Sequence, residues 1–229
     1  MQYYNSNEPE LAKTVSQDAT PEHTTMAAQA ELGIDVKQNY RNSFLLALGS
    51  NASDDALNNE VILKAAVTQI NQSGLTIERI SGIWRTPAFP AGAGPGFANA
   101  CALATGDLSA AQVLEVLHRI EAEMGRTREK RWGQRVIDLD LLAAGDLVLP
   151  DAVTQRHWQE LPLEAQMRVA PEQLILPHPR LQDRAFVLLP LCEVAPDWRH
   201  PLLGQSVSEM CAALDPGEVA ALRAMSAKP

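Results

Sequence analysis

The run from Arg126 to Leu142 constrains this chain more than any other stretch. Four arginines and a lysine crowd its first ten residues, and Ile137, Asp138, Leu139, Asp140 and Leu141 then alternate apolar with acidic. Side chains on an extended strand alternate faces, so the two aspartates share one face and the three aliphatic residues the other. The segment is therefore a strand with one face in a core and a second face that repels itself unless something positive sits against it. A bare Asp-x-Asp pair is often only a solvated strand face. Beside an arginine cluster in a chain of net charge −9, it points instead to a hard divalent cation such as Mg²⁺ and a phosphorylated substrate. Arginine rather than lysine dominates the cluster, and its planar fork suits phosphate oxygens.

The acidic balance argues against a general nucleic-acid binder. Cys101, Cys192 and Cys211 are too few and too scattered for a disulfide framework or a zinc site. No apolar run reaches membrane-spanning length and no secretory signal is visible, so the expectation is a cytoplasmic protein without a membrane or nucleic-acid partner.

Residues 1–42 are polar, without sustained apolar periodicity, and are expected to form a poorly ordered tail with at most a short helix near Thr24–Leu32. Residues 43–229 are expected to form one domain. Ser43–Asn51 is an apolar run ending in a turn. Asp54–Gln72 has helical spacing, with Gly74 at the C-terminal cap. Leu75–Arg85 is expected as a second strand, with Gly82 a candidate bulge. Thr86–Gly96 holds three prolines and three glycines and is expected to be a mobile loop. Phe97–Thr105 has the alternation of a strand with a small-residue face. Ser109 and Gln112 form a capping box for a helix whose stripe of Val113, Leu117, Ile120 and Met124 closes at Gly125.

A short strand is expected at Leu147–Leu149. Residues 150–173 have the composition of a surface insertion, with a helical piece around Glu164–Val169. Leu181–Val194 is an apolar helix interrupted at Pro190, and Ser206–Leu214 a small final helix. Strands and helices mix without a βαβ rhythm, which predicts an α+β fold with a mainly antiparallel sheet.

Other residues have ordinary readings on sequence alone. Trp132 is a packing residue or a substrate contact. His178, between two prolines, is a phosphate donor or, more simply, a structural hydrogen-bond partner. Phe97 and Phe186 are core aromatics by composition. Glu121 sits beside the apolar stripe as a surface carboxylate, and His118 needs no function. The glycine-rich phosphate loops of P-loop enzymes, dinucleotide-binding folds and protein kinases do not occur, so side chains and metal ions are left to carry any phosphate charge.

Several stretches together resemble one family. They are Ala47–Asn51, Arg85–Pro87, Phe97–Ala100, Ile120–Glu121 with Gly125–Arg126, Arg131–Asp140, Leu176–His178, Arg184–Phe186 and Pro190–Leu191. Their order is that of 6-hydroxymethyl-7,8-dihydropterin pyrophosphokinase, of folate biosynthesis, over about residues 43–203. The resemblance implies a ferredoxin-like-related three-layer αβα domain that works as a monomer. It also implies transfer of the β,γ-diphosphate of ATP to the pterin hydroxymethyl group, with release of AMP.

On that resemblance Asp138 and Asp140 hold two Mg²⁺ ions, and Arg126 and Arg135 join them as catalytic residues. Glu121, Arg128, Arg131, Trp132, Ile137, His178 and Arg184 fall on the ATP side. Thr86, Pro87, Phe89, Phe97, Asn99 and Phe186 line the pterin pocket, with Phe97 and Phe186 sandwiching its ring. The chain departs from the family pattern at Gln134, His118, Pro179, Arg180 and Gly94–Gly96. Two other readings are a different two-metal nucleotidyl or phosphoryl transferase, for which Asn99 and Phe186 have no role, and a catalytically silent pterin- or nucleotide-binding module.

Overall fold

A computed structural model describes residues 42–53, 55–87, 94–125, 136–162, 164–165 and 169–226. The expected tail and its short helix lie outside them, as do the centre of the 86–96 loop and the arginine-rich loop.

Five strands form one sheet: β1 (Ser43–Ser50), β2 (Leu75–Ile80), β3 (Trp84–Thr86), β4 (Phe97–Gly106) and β5 (Asp138–Ala144). The order is β2-β4-β1-β5, with β3 beside β2 on the same edge of β4, and every described pairing is antiparallel. The expected antiparallel α+β class is the one observed. Helices α1 (Ala56–Asn71) and α2 (Ala110–Glu123) cover one face. There Leu63, Ala66, Ile70, Val113, Leu117 and Ile120 pack on Phe44, Leu46, Leu48, Leu139 and Leu141. Four alanines of β4, at 98, 100, 102 and 104, give this face little height, which lets the two helices approach closely. Helices α4 (Ala185–Val194) and α5 (Val207–Ala212) cover the other face, over Leu45, Cys101, Leu103, Leu142 and Ala143. The result is three layers, helix on sheet on helix.

The helix ends follow local chemistry. Ser109 and Gln112 form a reciprocal capping box, and Gly74 and Gly125 take positive φ of 94° and 88° where the chain leaves α1 and α2.

Several expectations need correction. The stretch 75–85 is two strands rather than one. Its bulge falls between Ile77 and Arg79, while Gly82 lies in the connection and donates its N–H to Glu193 at 2.7 Å. Leu147–Leu149 is no strand; Leu149 makes one bridge, to Leu176. Within 150–173 an unforeseen helix, α3 (Ala152–Glu160), is started by Asp151, whose carboxylate accepts from Val153 and Thr154 N–H. Of the expected 164–169 piece, residues 164–165 are helical and 166–168 lie outside the described residues. The 181–194 helix breaks at Arg184, not Pro190: a 3₁₀ turn spans Leu181–Asp183, and Pro190 lies inside α4. Ser206 caps α5, and a further helix, α6 (Pro216–Ser226), follows it unforeseen. Glu121 is no surface carboxylate but 1% exposed, and Phe186 is no core aromatic but 36% exposed.

Candidate active site

Register builds the site. On β1, Gly49 pairs with Asp138 on one side and Asn99 on the other; Ala47 pairs with Asp140 and Cys101. On the far side of β4, Trp84 pairs with Asn99 and Thr86 with Phe97. Paired residues share a face, so Asp138, Gly49, Asn99 and Trp84 form a row across the sheet. Adjacent strands lie about 4.8 Å apart, which sets the Asp138 and Asn99 backbones roughly 10 Å from each other.

Gly49 keeps the middle of that row low. A Cβ there would stand 3.4 Å from Asn99 Oδ1 and 4.0 Å from both Asp138 Cβ and Phe97 Cδ1. The sequence places this glycine in a turn; its use is to clear space between an acidic end and an amide end.

At the acidic end, Asp138 and Asp140 are half-buried on one face while Leu139 and Leu141 are buried on the other, as the alternation predicts. Two charges one strand repeat apart, about 6.7 Å, repel by roughly 2–3 kcal/mol at an effective dielectric of 20. A cation between them removes that cost. Among the described residues no group of three or more His, Cys, Asp or Glu side chains could hold a metal. A pair of carboxylates is a donor set that fits Mg²⁺, which fills its octahedron with water and phosphate oxygens.

Three features hold this end in place. β5 is an edge strand, and the Leu139 N–H, between the two aspartates, donates to Glu121 Oε1 from α2 at 2.7 Å. Leu142 is the extra residue where the β1–β5 register slips, and its carbonyl accepts the His178 N–H at 2.8 Å. Ser50 Oγ donates to the Val136 carbonyl at 2.7 Å, anchoring the chain just before β5.

His178 and Arg184 lie within electrostatic reach of the carboxylates. Burial, then the Arg184 and Arg180 guanidiniums, push the His178 imidazole down to about 3, against the opposing pull of Asp138. Its Nδ1 accepts from the Arg180 N–H at 3.1 Å, which leaves the ring proton on Nε2. His178 is thus neutral at physiological pH and offers a donor. Burial lowers the Arg184 guanidinium, with Asp140 the chief opposing influence; an arginine stays charged under such a shift. Arg184 also lies 5.8 Å from the Phe186 ring centroid.

At the amide end, Asn99 Nδ2 donates to Thr86 Oγ1 at 3.0 Å and to the Trp84 carbonyl at 3.4 Å. These two bonds use the amide nitrogen, which leaves Oδ1 as the acceptor end of the side chain. Glu193 of α4 steadies the neighbouring corner, accepting from Trp84 Nε1 and Gly82 N–H at 2.7 Å each. The Arg85 N–H donates to Ser226 Oγ at the end of α6. Burial above all raises the Cys101 thiol far above its ordinary value, which makes it unsuitable as a nucleophile.

Of the residues named from sequence, Thr86, Phe97, Asn99, Asp138, Asp140, His178, Arg184 and Phe186 are brought to this face or its rim, with Pro87 exposed at the loop entrance. Glu121 acts from the opposite helix layer through the backbone, and the Ile137 side chain lies fully buried in the α1–α2 core. Phe89, Arg126, Arg128, Arg131, Trp132 and Arg135 lie outside the described residues. Sequence reading missed Gly49, Ser50, Trp84 and Glu193. Only the Gly49–Asn51 run carried a signal, as part of the family-like Ala47–Asn51 segment.

A family model described as 7,8-dihydro-6-hydroxymethylpterin-pyrophosphokinase matches residues 45–196. A Methylorubrum extorquens protein named 2-amino-4-hydroxy-6-hydroxymethyldihydropteridine pyrophosphokinase is 36% identical over 175 residues, 76% of this chain and 94% of its own length. The Bacillus subtilis protein of that name is 35% identical over 150 residues, 65% of this chain and 75% of its own. The Synechocystis protein of that name is 34% identical over 143 residues; the match spans 62% of this chain and 63% of that protein. In the solved structures, wild-type Plasmodium falciparum HPPK-DHPS shares the fold with a TM-score of 0.52 at 15% identity, over 80% of this chain and 46% of that one.

Proposed function

The chain belongs to the 7,8-dihydro-6-hydroxymethylpterin-pyrophosphokinase family, and from that premise we propose that it transfers the β,γ-diphosphate of ATP to the hydroxymethyl group of 6-hydroxymethyl-7,8-dihydropterin, releasing AMP for folate biosynthesis. The observation that carries the reading is the row Asp138–Gly49–Asn99: a cation-binding end, a cleared floor and an amide end, on one sheet face.

Each end suits one substrate. A flat heterocycle takes aromatic faces and fixed edge partners. Asn99 Oδ1 accepts from the pterin edge, while Phe97 and the exposed ring of Phe186 flank its faces. Arg184 and the Nε2–H of His178 meet the triphosphate, joined, as the family resemblance implies, by Arg126, Arg128, Arg131, Trp132 and Arg135. Glu121 supports β5 from behind, and Thr86, Pro87 and Phe89 border the pterin. Asp138 and Asp140 hold two Mg²⁺ ions, which when bound neutralise the phosphate charge and polarise the β-phosphorus.

The chemistry needs alignment more than a protein nucleophile. The pterin hydroxymethyl oxygen forms a bond to the β-phosphorus and gives up its proton. The bond from that phosphorus to the bridging oxygen breaks, and the bridging oxygen leaves on AMP. His178, neutral and fixed in tautomer, orients the chain of phosphates without adding charge that the arginines already supply.

Residues 43–229 act as one domain, as a monomer in the cytoplasm. Among the described residues no helix is long and apolar enough to cross a membrane. Replacing Asp138 or Asp140 with Ala tests the metal role. Turnover falls by roughly three orders of magnitude while the thermal midpoint does not fall below that of the parent; near-normal rates overturn the assignment.

A further inference from the structure

The insertion at 150–173 reaches the nucleotide side through one side chain. Gln155, on α3, is fully buried although α3 is otherwise polar and its Val153 is 80% exposed. Gln155 Nε2 donates to the Pro177 carbonyl at 3.1 Å, and its Oε1 is buried without a partner among the described residues. A buried amide is costly unless its hydrogen bonds are made, so apolar packing does not account for its place.

The surrounding backbone gives the contact a direction. Leu149 and Leu176 exchange hydrogen bonds of 2.9 and 3.1 Å, tying the start of the insertion to its end. Asp151 then caps α3, which fixes where its first turn begins. Gln155 falls one turn in, facing the peptide that joins Pro177 to His178. The His178 N–H continues to the Leu142 carbonyl, two residues past Asp140. A line of hydrogen bonds therefore runs from the insertion, through the Pro177–His178 peptide, to the strand of the carboxylates.

We propose that Gln155 is a positioning residue for ATP, acting through the Pro177 carbonyl to fix the Pro177–His178 peptide and with it the place of the His178 imidazole. The proposal rests on the ATP-side role of His178 given above. It assigns the insertion a part in nucleotide binding and none in the pterin pocket, which lies two strands away.

The test compares the full chain with Gln155→Met, which keeps side-chain length and removes the donor. The KM for ATP and the dissociation constant of α,β-methylene ATP should each rise about three- to tenfold, the factor expected for one lost buried hydrogen bond. The kcat and the KM for the dihydropterin should stay within about twofold, a split that general loosening would not produce. Should Gln155→Met not fold, Gln155→Asn withdraws the same amide by one methylene and carries the same expectation. A folded variant with unchanged nucleotide affinity, or with both KM values raised in proportion, overturns the proposal. Failure of the underlying activity shows separately, as no AMP from the unsubstituted chain.

Discussion

Glu121 on α2 takes the N–H of Leu139, the residue between Asp138 and Asp140, on a 2.7 Å hydrogen bond. An edge strand presents every second N–H to solvent or to a partner. Here the partner is a carboxylate that is 1% exposed, so the spacing of the two aspartates is held from behind.

Glu121→Ala leaves that N–H unsatisfied in a buried place, which costs about 1–3 kcal/mol. Glu121→Gln retains an acceptor and recovers most of it. Urea denaturation of the two variants, read beside turnover, checks this: the alanine variant should lose both stability and rate, and the glutamine variant much less. Equal losses would mean that the Glu121 charge, not the hydrogen bond to Leu139, is what matters.

That contact also marks the limit of the sequence. Alternation around Asp138 identifies the strand and its two faces, because period two admits one reading. The stripe of α2 leaves Glu121 one position off its centre, and only the packing of α2 against the β5 edge turns it inward. Helices α3 and α6 lack a clean apolar stripe. Asp151 starts one and a contact from Asp215 to the Glu218 N–H starts the other, signals weaker than periodicity. The low floor at Gly49 depends on β1 lying between β4 and β5, a long-range pairing that no local pattern encodes.

Thr86 holds the Asn99 amide in one orientation. Thr86→Val keeps the shape and removes the acceptor, so the amide is held only by its longer 3.4 Å bond to the Trp84 carbonyl. The KM for the pterin should rise about tenfold, near the worth of one hydrogen bond, while the KM for ATP is unchanged. Thr86→Ser should restore it. Steady-state kinetics with each substrate varied in turn gives the answer, and an equal rise in both KM values would refute the orientation argument.

His200 gives the fold an acid-side weakness. It is fully buried, its Nδ1 accepts from the Leu202 and Leu203 N–H groups, and burial pushes it from 6.5 down to about 4. Above pH 6.5 both folded and unfolded chains carry it neutral, and it leaves stability alone. As pH falls from 6.5 towards 4 only the unfolded chain takes up the proton, and stability drops by about 3 kcal/mol. His178, lowered to about 3, adds a loss of the same sign over a window reaching lower. His200→Asn keeps a side-chain oxygen for the two N–H groups. Denaturation from pH 7.5 to 4.5 should show a flatter slope in this variant; an unchanged slope would remove His200 from the account.

The most direct measurement is product identity. The chain is incubated with ATP, Mg²⁺ and 6-hydroxymethyl-7,8-dihydropterin, and the nucleotide products are separated and followed by phosphorus NMR. Transfer of diphosphate across the row from Asp138 to Asn99 predicts AMP and the pterin diphosphate in equal amounts, abolished by a chelator. ADP or inorganic pyrophosphate as the product, or no turnover, would contradict it.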